Sequence, residues 1–160
     1  MKFKKRLKQL DKILALDTVP EVSIGYKVTP ITKKNIDGSK QMGKFIRKLF
    51  DKRSFNLREE FVVVILDNEH QPFGYFSHSL GRMESVNIDN RLLFQKLLVL
   101  GAAKFIVAHN HPVAGPQPSE ADANLTVSLK HQAEFLDLEL VDAFVLSRNG
   151  YFSFVDYGMI

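Results

Sequence analysis

Phe61-Val-Val-Val-Ile-Leu66 is an unbroken apolar run, four of its six residues β-branched. It is too short and too β-branched for a helix, and its continuity predicts a strand covered on both faces, the central strand of a sheet. Asp67-Asn68 turns the chain, and residues 73–80 follow as a hairpin partner closed by Gly81. Leu92, Leu93, Leu97 and Leu100 then mark a helix over 88–103, capped by Asp89. A second short buried strand, Phe105-Ile-Val-Ala108, runs directly into His109.

Farther along, residues 112–118 hold too many Pro and Gly to be regular structure. Ser119 starts a helix whose expected inner face is Ala121, Leu125, Leu129, Ala133 and Leu136. Residues 141–146 and 151–155 read as strands joined through Asn149-Gly150, a strong hairpin signal. On the other side of the central strand, Phe3, Leu7, Leu10 and Leu14 recur at helical spacing, and Thr18-Val19-Pro20 breaks that helix. Residues 22–28 alternate as a half-buried strand ended by Pro30, and Asp37-Gly38-Ser39 leads into a basic helix with Met42, Phe45, Ile46 and Leu49 on one face.

Strands interleaved with helices give an α/β, mixed α+β, layer around one central sheet. The 160 residues fit one compact domain, read as a basic N-terminal section over 1–56 and a core over 57–160. Hydrophobic residues at 45% and charged residues at 25% are the proportions of an ordinary globular protein and exclude wholesale disorder. The absence of cysteine excludes disulfides, thiolate zinc fingers, iron–sulfur clusters and a Cys nucleophile, and fits a cytoplasmic protein. No apolar run reaches the roughly 18 residues of a membrane span, and Asp11 and Lys12 interrupt any signal-peptide core, so no membrane association is expected.

The net charge of +4 conceals a strong asymmetry: residues 1–53 hold 15 of the 22 Lys and Arg against five acidic residues. Such a front section can attract nucleic acid or another polyanion through counterion release, or can simply be a solvated face of amphipathic helices.

Chemistry concentrates in His109-Asn110-His111-Pro112 and in Ser119-Glu120-Ala121-Asp122. Residues two apart in an extended segment share a side, so His109 and His111 can present two imidazoles to one ion. Asp122, in the first helical turn, can fold back as a carboxylate ligand. Two His and one Asp leave a tetrahedral zinc ion one open position, the pattern of a catalytic site. A general base is then required, and Glu59 and Glu60 stand at the entrance to the central strand. Read structurally, Ser119 is an N-cap, Asp122 a dipole-favoured first-turn acid, and the two His loop residues bonded to backbone. Asn110 is expected to bond to loop backbone and hold the two His apart. His70, His78 and His131 read as surface or half-buried residues rather than ligands.

The string Arg58-Glu59-Glu60-Phe61, then Leu66-Asp67-Asn68, HNHP, GPQPSEAD, Thr126, YFSF and Gly158 resembles the RadC family of JAB/MPN (JAMM) metalloprotease-like domains over residues 57–160. The preceding part is similar to the front section of short RadC-like proteins. The resemblance implies a single JAB/MPN-type domain, a central mixed sheet flanked by helices in a cytidine-deaminase-like arrangement. It implies one zinc ion held by His109, His111 and Asp122, with Ser119 stabilising the oxyanion and Glu59 as catalytic base, Glu60 being the fallback. Two departures stand out: Val113-Ala114-Gly115 follows Pro112 where the family usually has HNHPSG, and Val141-Asp142-Ala143 replaces an L-D-H triplet. The function implied is zinc-dependent hydrolysis of a peptide or isopeptide amide in a peptide or protein substrate. The rivals are a phosphodiesterase, suggested by the repair-related name of RadC, and a nucleic-acid-binding module with a structural or vestigial zinc, working through residues 1–53.

Overall fold

Every residue from 61 to 66 is buried, which a strand achieves only with neighbours on both edges and layers on both faces. The computed structural model describes residues 36–80 and 88–160. The helix expected at the start of the chain, the strand expected at 22–28 and the closing Gly81 lie outside them. The described elements run α1 (Gly38–Arg47), β1 (Glu60–Leu66), β2 (Pro72–Leu80), α2 (Asn90–Val99), β3 (Lys104–Asn110), α3 (Glu120–Phe135), β4 (Glu139–Ser147) and β5 (Gly150–Ser153).

The strands form one mixed sheet in the order β2-β1-β3-β4-β5. β1 is antiparallel to both β2 and β3, β3 and β4 are parallel, and β5 returns antiparallel to β4. A parallel pair needs a long crossover, which α3 supplies between β3 and β4. Strand alternation divides the core in two. Phe61, Val63, Ile65, Phe105, Val107 and Val145 meet α2 and α3 on one face. Val62, Val64, Leu66, Ile106, Phe144 and Leu146 meet Met42, Phe45 and Ile46 of α1, with Phe50 and Phe55, on the other. The result is a mixed α/β fold, a five-stranded sheet flanked by three helices.

Three expected details shift. α2 stops at Val99 because Gly101, at φ 64°, closes it with Gly101 N–H to Leu98 O and Ala102 N–H to Leu97 O. Its buried residues are Leu93, Phe94 and Leu97, while Leu92 is exposed. Leu125, Leu129, Ala133 and Leu136 pack on the core as expected and Thr126 is buried with them, but Ala121 is exposed. At this end of α3, Ser119 and Asp122 close a capping box that satisfies two of the first N–H groups. In the β4–β5 hairpin Ser147 pairs with Gly150, so Arg148-Asn149 forms the turn, one residue ahead of the expected pair. The Arg47 guanidinium donates to the carbonyls of both Ser147 and Gly150, tying α1 to that turn.

Candidate metal centre

β3 carries His109 on the face that Phe105 and Val107 bury, and His109 lies in register with Phe61 of β1. The Phe61 and His109 rings stack with 3° between their planes and centroids 6.4 Å apart, which fixes the imidazole orientation. Beyond the strand, the His111 N–H donates to Leu146 O at 2.7 Å. This keeps the chain extended for one more residue and brings both imidazoles to one side, with Nε2 atoms 3.1 Å apart.

The third donor comes from the capping box. Asp122 Oδ2 accepts from Ser119 N–H and from Ser119 Oγ, each at 2.7 Å, while Asp122 N–H donates to Ser119 Oγ at 3.1 Å. So held, Asp122 Oδ1 lies 3.2 Å from His109 Nε2, and Oδ2 lies 3.4 Å from His111 Nε2. Bonds of ~2.0–2.1 Å in a tetrahedron separate ligand atoms by roughly 3.3–3.4 Å, so this donor set fits one small divalent cation. Among the described residues it is the group that could hold one. The three side chains are 12%, 13% and 18% exposed, sheltered yet open to solvent on one side.

Neighbouring groups tune the donors. His111 Nδ1 lies 3.0 Å from Gly115 O; a proton there donates to the carbonyl and leaves Nε2 free to coordinate. The departure from HNHPSG therefore still supplies a carbonyl to the second histidine. Burial tends to raise the Asp122 pKa, but hydrogen bonds from His109, His111 and Ser119 outweigh it and hold the carboxyl well below the usual range. The hydrogen bond to Asp122 raises His111 against the opposing effect of burial.

The two glutamates part company. Glu60 Oε1 accepts from Ser77 Oγ at 2.8 Å. Glu59, one residue ahead of β1, has its pKa raised by burial and by the charge of Asp122, while His109 and His111 oppose the rise. The charges acting on Glu59 are thus those of His109, His111 and Asp122.

Asn110 points away from the imidazoles, to the opposite face of the sheet, and is fully buried. Its Oδ1 accepts from Glu60 N–H at 2.7 Å, and its Nδ2 donates to Phe55 O at 2.6 Å and Arg58 O at 3.0 Å. It bonds to backbone, as expected, but to the segment ahead of β1, and so fixes the approach of Glu59. Phe61 and Gly115 were not legible as site residues; the register of β1 on β3 and the path of the 112–118 loop decide both. His70, His78 and His131 lie apart, against Lys104, Asp89 O and Glu134 respectively. Ala143, which stands in the place of the expected triplet's histidine, is buried in the core in register with Val107.

The family model for the RadC-like JAB domain matches residues 36–159. Proteins named UPF0758 are similar over about two thirds of this chain: 35% identical over 103 residues in Histophilus somni, 34% over 105 in Xylella fastidiosa and 36% over 101 in Flavobacterium johnsoniae. Those matches cover 64%, 66% and 63% of this chain and 46%, 47% and 44% of the relatives, so the chain spans less than half the length of each. No helix among the described residues is long and apolar enough to cross a membrane. With this match running from ahead of α1 to the end of the sheet, the chain belongs to the RadC-like JAB domain family.

Proposed function

We propose that this chain is a JAMM-type hydrolase that uses one zinc ion, held by His109, His111 and Asp122, to cleave a peptide or isopeptide amide. The observation that carries the reading is the convergence of two imidazole nitrogens, 3.1 Å apart, with the two oxygens of the Asp122 carboxylate, one 3.2 Å from His109 Nε2 and the other 3.4 Å from His111 Nε2, beside the carboxyl of Glu59. When bound, zinc would supply Lewis acidity and lower the pKa of a water to ~7. Glu59 takes the proton of the attacking water and returns it to the leaving nitrogen. A carboxyl raised by burial suits a group that must both accept and release a proton. Ser119 first serves Asp122, to which its hydroxyl is bonded; turned from that bond, the same O–H donates to the tetrahedral oxyanion.

Glu59→Gln tests the reading in an assay of fluorogenic peptide and isopeptide substrates. The variant keeps stoichiometric zinc and loses hydrolysis, whereas Glu60→Gln retains both. Zinc-dependent cutting of nucleic acid that stops in Glu59→Gln would replace the amide by a phosphodiester.

A further inference from the structure

A groove leads away from the loop that carries His111. A hollow of 580 Å³ between residues 112–115 and the β4–β5 turn shares Asn56 with a second hollow of 480 Å³ alongside α1. It shares Arg148 and Asn149 with a third of 400 Å³, and the second and third meet at Lys44 and Arg47. The rim is cationic: Lys40, Lys44, Lys48, Lys52 and Arg148 line it, and among the described residues no acidic one does. All five are exposed, and among the described residues none forms an ion pair. Asp51, the acid nearest in sequence to Lys52, pairs with Arg53 instead. Lys40 and Lys44, four apart on α1, repel each other, and with Lys48, Lys52 and Arg148 they form an unneutralised positive rim that points to an anionic partner.

We propose that this groove holds an acidic, extended stretch of the substrate polypeptide beside the amide presented to the metal centre, an inference that rests on the amide-hydrolase reading above. Lys40 and Lys44 stand ~6 Å apart along α1, close to the ~6.6 Å between alternate residues of an extended peptide. Carboxylates at alternate positions therefore meet successive ammonium groups, while the side chains between them turn to the floor. That floor is apolar, formed over Phe50 and Phe55. It is not a stacking platform for bases: Phe50 and Phe55 are 3% and 8% exposed, and the Arg47 guanidinium covers the Phe55 ring at 4.9 Å. Single-stranded nucleic acid binds through open aromatic faces as well as charge; Tyr151, which lines the third hollow, is half-buried with its ring 5.9 Å from that of Phe144.

The test is fluorescence anisotropy on the full chain, with a short labelled peptide alternating Glu and Leu as probe. The same peptide with Gln for Glu and labelled oligothymidylate are the comparisons. The Glu peptide binds tightest, weakens as salt rises, and binds roughly tenfold more weakly to Lys44→Glu/Lys48→Glu. Lys52→Glu, outside the helix, weakens it in the same direction, and Arg91→Glu, on the helix across the sheet, leaves it unchanged. Equal affinity for the Gln peptide, or tighter binding of oligothymidylate, would overturn the proposal. Binding of the Glu peptide needs no metal and persists in chelator, so a bound peptide with no amide ever cleaved would sink the hydrolase reading and spare the charge recognition. Amide cleavage indifferent to an acidic flank would sink the groove and spare the hydrolase.

Discussion

Asn110→Ala removes a side chain that joins the end of β3 to the segment ahead of β1. Three bonds go with it, from Glu60 N–H and to the carbonyls of Phe55 and Arg58. Each group left unsatisfied in a buried place costs ~1–3 kcal/mol. Since Arg58 is exposed and Glu60 half-buried, water recovers part of the loss, and about 3 kcal/mol is expected in total. With an m-value of ~2 kcal/mol/M in urea, the unfolding midpoint falls by roughly 1.5 M. Asn110→Asp keeps the acceptor for Glu60 but aims a carboxylate oxygen at two carbonyls, so it costs at least as much despite equal size. Urea titrations followed by circular dichroism measure both. A change within ~0.5 kcal/mol for Asn110→Ala, the scatter of an ordinary surface substitution, would refute the clamp.

Other perturbations test separate parts of the fold. A Cβ on Gly43 would stand 3.2 Å from Cγ of Tyr151, so Gly43→Leu overpacks the seam between α1 and β5 and costs ~1–3 kcal/mol, read as a lower Tm. Burial raises the pKa of Asp142 above 3.8 although Ser153, Val155 and Ala143 bond to it. The native state then binds more protons than the unfolded chain as pH rises above 3.8, and stability contributed by this group falls through that window. Asp142→Asn removes this contribution, so the stability difference between wild type and variant shifts against wild type with rising pH. A difference independent of pH would count against the buried ionisable group.

The central strand was readable because six consecutive apolar residues leave β1 no exposed face. The order of neighbours was not, since the choice of β3 over β4 as its second partner depends on where α3 crosses. On α3 helical periodicity correctly marks Leu125, Leu129, Ala133 and Leu136 as the inner face, while Ala121, in the first turn, is exposed and Thr126 joins the buried stripe. The bonds of the capping box hold the Asp122 carboxylate beside His109 and His111. Glu59 and Glu60 could not be separated by alternation alone, because adjacent residues always point opposite ways. The register that sets Phe61 opposite His109, and the bond from Ser77 to Glu60, distinguish them. The basic character of residues 36–53 was plain, whereas the contribution of Arg148 to the same groove required the fold.

Metal content measures the central claim most directly. Purified wild-type protein dialysed against limiting zinc, assayed by inductively coupled plasma mass spectrometry, should retain about one ion per chain, the number that a single three-ligand site binds. His109→Ala, His111→Ala and Asp122→Ala should each retain almost none while keeping the wild-type circular dichroism spectrum. Undiminished stoichiometric zinc in the His109 and Asp122 variants would contradict the ligand assignment and the chemistry derived from it.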